Sequence, residues 1–165
     1  MSGYGFVLFC GPLLSILYEP TSVVLMSLIM GTILLGGLLS TSENRRLADS
    51  RVALGLTVCS IPGMFVGLWL LPRLNESVFR VVVGSITLLF VLSRLWGFRI
   101  LIPNHSLGIV VAGFLGGVFS VSTGLSSLPI IWFLGSQNFT PLEYRATIAS
   151  YVFLNGVISI MALVM

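Results

Sequence analysis

Apolar runs about as long as a bilayer is thick recur along this chain, and nothing else in the sequence limits its fold so severely. They fall at about residues 4–18, 22–40, 52–71, 78–96, 107–121, 127–135 and 145–165. One helical crossing takes roughly 20 residues, so the second, third, fourth and last runs read as full spans. The first is short, and the fifth and sixth read as two halves around a break. With 56% hydrophobic and only 8% charged residues, the chain lacks the polar surface of a soluble domain. The expectation is one all-α domain over 1–165, a polytopic integral membrane helical bundle with broken helices. Its setting would be a cell membrane, the inner one in a bacterium, crossed several times, with the lipid bilayer as a partner.

The charges set orientation and exclude several functions. Every basic residue is an arginine. Arg45, Arg46 and Arg51 follow the second run, while Arg94 and Arg99 follow the fourth. A helical hairpin separates those loops, which puts both on one side, and the positive-inside bias makes that side cytoplasmic. Arg73, in the intervening turn, pulls the other way, and Trp69 and Trp96 stand near run ends as interfacial anchors. Arginines scattered between apolar runs do not form a nucleic-acid footprint. Cys10 and Cys59 lie inside apolar runs, where thiols behave as small hydrophobes, and neither a metal nor a cofactor is expected. No acidic residue occupies the middle of a run: Glu19 and Glu143 flank prolines, and Glu43, Asp49 and Glu76 are in loops. That argues against a carboxylate-relayed pump. An intramembrane protease would need a deep histidine beside a serine, or paired aspartates. His105 follows Pro103 in a loop and Asp49 is the sole aspartate, so no enzyme is expected.

The break between the fifth and sixth runs is where a function is legible. Val121-Ser122-Thr123-Gly124-Leu125-Ser126-Ser127-Leu128-Pro129 interrupts an apolar stretch with hydroxyls, glycine and proline. Irregular backbone at membrane depth is tolerated only where protein or a water-filled cavity satisfies it. Transporters use half-helix ends of this kind to hold a solute. Ser122, Thr123, Gly124, Ser126, Ser127 and Pro129 are therefore candidate substrate residues, their hydroxyls and amides suited to a small anionic solute. The plain alternative is that serine and glycine let helices approach closely. Arg145 opens the last run and could attract an oxyanion or serve as an interfacial charge. Thr147 and Asn155 share its helix; Asn155, in mid-span, either lines a path or bonds a neighbouring helix.

A shift of 121 residues pairs Gly3 with Gly124 (124 − 3), Leu13 with Leu134, Ser15 with Ser136 and Pro20 with Pro141. A partial internal repeat follows: 1–106 as a first copy lacking its N-terminal half-helix, and 107–165 as an incomplete second copy. Gly3, Gly5 and Pro12 become the counterpart of the site at the break. The two copies are parallel if 107–135 crosses once, and inverted if it re-enters as a hairpin.

Ser2-Gly3-Tyr4-Gly5, Gly11-Pro12-Leu13-Leu14 and Glu19-Pro20-Thr21-Ser22 resemble the N-terminal motif of the sulfite exporter TauE/SafE family. Thr123-Gly124 through Pro129, then Pro141 and Arg145-Ala146-Thr147, are similar to its second motif. The resemblance implies a membrane permease of two related halves that moves sulfite, organosulfonates or similar anions by alternating access. Members are usually longer, so the chain resembles one truncated at both ends. A truncated or non-transporting scaffold, or a homo-oligomer completing the second half, is the competing expectation.

Overall fold

The computed structural model describes residues 19–39, 49–73, 75–95, 105–137 and 139–164. Among these, the chain forms α1 (Pro20–Leu39), α2 (Ser50–Leu70), α3 (Glu76–Leu95), α4 (His105–Thr123), α5 (Ser127–Gly135) and α6 (Pro141–Val164). A short 3-10 turn, Leu71–Arg73, follows α2. The described residues contain no strand, and the protein is an all-α membrane bundle. Gly3, Gly5, Pro12 and the loop holding Arg45 and Arg46 lie outside the described residues.

Local chemistry explains the helix starts. Pro20 and Pro141 each occupy the first position of a helix, where a missing N–H costs nothing. Thr140 and Glu143 form a capping box at α6. The Glu143 carboxylate accepts from Thr140 N at 2.9 Å and Thr140 Oγ1 at 2.8 Å, and Glu143 N donates to Thr140 Oγ1 at 3.4 Å. Asp49 caps α2 by accepting from the amides of Arg51 and Val52. Beyond the far end of α2, the Arg73 guanidinium lies 3.4 Å above the Trp69 ring.

One of the lengths differs from the sequence reading. The fifth run looked like a half-span, yet Ser106–Thr123 is long and apolar enough to cross a membrane, as are Ser50–Arg73 and Pro141–Leu163. The run was undercounted because hydroxyl residues at its end remain helical: Ser122 and Thr123 give their protons to Val118 O and Phe119 O. Helices α1 and α3 are each 20 residues long, the length expected of their runs. His105, expected in a loop, is the first residue of α4.

Glycine contacts fix the helix directions. A Cβ on Gly55 would lie 3.3 Å from Ile109, one on Gly113 2.7 Å from Leu56 O, and one on Gly67 2.8 Å from Val118 O. Both chains advance together, so α2 and α4 are parallel. Gly116 meets Tyr151 and Ser120 meets Asn155 and Ser159, so α6 runs the same way. In contrast, Thr32 meets Gly156 while Gly36 meets Phe153, which makes α1 antiparallel to α6.

The α5 helix turns back along α4. Ser126 O and the Ile130 side chain both lie within 3.3 Å of where a Gly116 Cβ would be. Farther along, Trp132 Nε1 donates to Ser93 Oγ at 3.2 Å, near the end of α3, and its ring sits 6.1 Å from that of Phe90. Tyr144, in the first turn of α6, reaches Ile131 O at 3.4 Å. Residues 105–135 thus form a hairpin of one long and one short arm, not a single interrupted crossing.

A cavity at the hairpin break

The interruption is shorter than the sequence indicated. Only Gly124, Leu125 and Ser126 lie between the two helices, and Pro129 falls in the first turn of α5. Gly124 takes φ +73°, a conformation that side-chain-bearing residues rarely adopt. Its amide donates to Ser120 O at 3.1 Å, while Leu125 N reaches Phe119 O at 3.3 Å. These bonds finish α4. The start of α5 is different: Ser126 precedes it without a side-chain capping bond, and Pro129 carries no N–H. The first amides of a helix have no partner within it and form its electropositive end.

A small cavity of about 20 Å³, room for one water-sized group, lies against that end. The break supplies Gly124, Ser126 and Ser127 to its wall. Across from them, α1 supplies Ser27, Leu28, Gly31, Thr32 and Leu35, and α6 supplies Val152 and Gly156. Thr32 gives its proton to Leu28 O at 2.7 Å. Ser27 is 5% exposed and its hydroxyl has no hydrogen-bond partner among the described residues.

A second polar cluster ties the parallel helices together. Asn155 Nδ2 donates to Ser120 Oγ at 2.8 Å, and Ser120 Oγ pairs with Ser159 Oγ at 2.8 Å. Ser60 Oγ lies 2.9 Å from Asn155 Oδ1 and 2.7 Å from Thr57 O, two acceptors for one proton. Ser60, Ser120, Asn155 and Ser159 are all fully buried. Each polar atom pairs across helices where lipid offers no alternative.

A family profile described as Sulfite exporter TauE/SafE matches residues 1–165. The chain belongs to this family. It is accordingly a membrane transporter, in a family of transporters rather than enzymes. No curated protein and no solved structure gives a significant match.

Within this TauE/SafE protein, the candidate residues fall into separate places. Gly124, Ser126 and Ser127 share the cavity wall. Ser122 and Thr123 are buried beside it, each with its proton committed to its own helix. Thr147 Oγ1 accepts the Asp49 amide at 3.0 Å and so joins the starts of α2 and α6. Asn155 belongs to the polar tie, and Arg145 is half-buried in the first turns of α6. None of Arg145, Thr147 and Asn155 lines the cavity. The sequence reading missed Ser27 and Thr32, since lone hydroxyls in an apolar helix look like packing residues. It also missed Ser60 and Ser120 as partners of Asn155, and Ser159 as a partner of Ser120, because pairings of 35 to 95 residues in separation leave no local pattern.

Proposed function

We propose that this transporter moves small anions such as sulfite or organosulfonates across the cell membrane by secondary, alternating-access transport, as a multi-pass protein. The observation that carries the reading is the uncapped N-terminus of α5 facing a cavity with buried hydroxyls. Open amides and hydroxyls donate hydrogen bonds, and the helix dipole favours negative charge there. Among the described residues, the wall holds no carboxylate to repel an anion.

The helix directions support the same reading. Pro20 and Pro141, paired by the 121-residue shift, open α1 and α6, and those helices are antiparallel. Two copies related in this way are inverted, the arrangement in which one set of broken helices rocks against another.

The test is sulfite flux into proteoliposomes containing the full chain. Ser126→Ala and Thr123→Val are expected to lower initial flux by about tenfold or more, the scale of a lost hydrogen bond to a charged group. Ser126→Ala is expected to have the larger effect, because the Thr123 proton is already given to Phe119 O. Wild-type flux in both variants would remove the site from the break.

A further inference from the structure

Several hydroxyls inside apolar helices of this protein bond back to their own helix, and Ser27 does not. Thr32 donates to Leu28 O, Thr57 to Ala53 O, Ser122 to Val118 O and Thr123 to Phe119 O, each one turn back. That bond is the default for a hydroxyl removed from water. Ser27 is equally buried, yet its Oγ makes no such bond and no other among the described residues. It lies instead on the wall of the cavity that Ser126 and Ser127, at the start of α5, also line.

The surroundings hold it there. A Cβ on Gly124 would lie 3.0 Å from Ser27 Cβ and 3.6 Å from its Oγ, so the backbone of the break rests directly against this turn of α1. The left-handed Gly124 conformation brings the chain around that contact and into α5. An unpaired donor and a helix N-terminus without a side-chain cap therefore border one small cavity. A single group that accepts from both completes both, and an oxyanion oxygen has the charge and the lone pairs to do so.

We propose that Ser27 of α1 is a direct ligand of the transported anion, donating its hydroxyl proton to an oxygen seated against the N-terminus of α5. The inference rests on the anion-transport reading above and extends its site to a helix that the sequence motif at the break does not include. The cavity admits one small group, so the anion docks through a single oxygen.

The experiment measures equilibrium binding of radiolabelled sulfite to the full-length protein in detergent, alongside sulfite flux in proteoliposomes. Ser27→Ala, and the nearly isosteric Ser27→Cys with its weak donor, should each weaken binding about tenfold to a hundredfold. Both should unfold at the wild-type temperature, and the cysteine variant keeps the packing if alanine disturbs it. Wild-type affinity in either folded variant overturns the assignment while leaving the transport reading in place. Sulfite binding that depends on Ser27 but is accompanied by no wild-type flux leaves the ligand assigned and removes the transport reading. An absence of wild-type binding overturns both.

Discussion

The α2–α4 contact and the α1–α6 contact are both built on glycine, but they are built differently. Between α2 and α4, backbone meets backbone. A Cβ on Gly63 would overlap Phe114 O, and one on Gly117 would overlap Ser60 O. Between α1 and α6, glycine meets side chains: Gly156 lies under Thr32 Oγ1, and a Cβ on Gly36 would come 3.0 Å from the Phe153 ring. Side chains can change rotamer, whereas carbonyl oxygens move only with their helix. The first contact is also locked by the Ser60–Asn155–Ser120–Ser159 cluster. The second borders the cavity, so the adjustable contact is the one beside the candidate site.

Substitutions can break that contrast. Gly117→Ala is expected to have the largest effect, about 3 kcal/mol of destabilisation, because no side-chain adjustment relieves an overlap with Ser60 O. Unfolding in mixed micelles measures it, and a loss below about 1 kcal/mol would mean the α2–α4 contact is softer than described. Asn155→Leu comes next, at about 1–2 kcal/mol, since it removes the buried bonds to Ser60 and Ser120 on two neighbouring helices while preserving bulk. Gly156→Ala should cost about 1 kcal/mol and be largely relieved by Thr32→Ala in a double-mutant cycle. Additive effects in that cycle would erase the distinction between the two contacts.

Much of the fold was legible because lipid enforces it. Apolar length located the helices, and Pro20 and Pro141 marked two helix starts through their missing N–H. The break was legible because Gly124 and its flanking hydroxyl residues have no place in an uninterrupted apolar helix. Its path was not. Arginine placement constrains the ends of spans, and a hairpin or a single crossing satisfies the same arginines. The direction of α5 is decided by contacts such as Trp132 with Ser93, which no local pattern encodes. Ser27 was illegible for a related reason: its meaning lies in a bond it does not make, and its sequence neighbours do not reveal that.

Arg73 on Trp69 bears on how the molecule sits in lipid. The arginine stands at the end of α2 opposite the Asp49 cap, where the positive-inside bias counts against it. Spread over an indole face, its charge becomes part of an amphipathic anchor that favours the headgroup layer. Helix α2, at 21 residues, is about 32 Å long, close to the ~30 Å hydrocarbon thickness. Capped at one end and moored at the other, it resists sliding along the membrane normal. Since α4 and α6 are bound to it, the three helices have a set depth, and motion in this protein is referred to that fixed ruler.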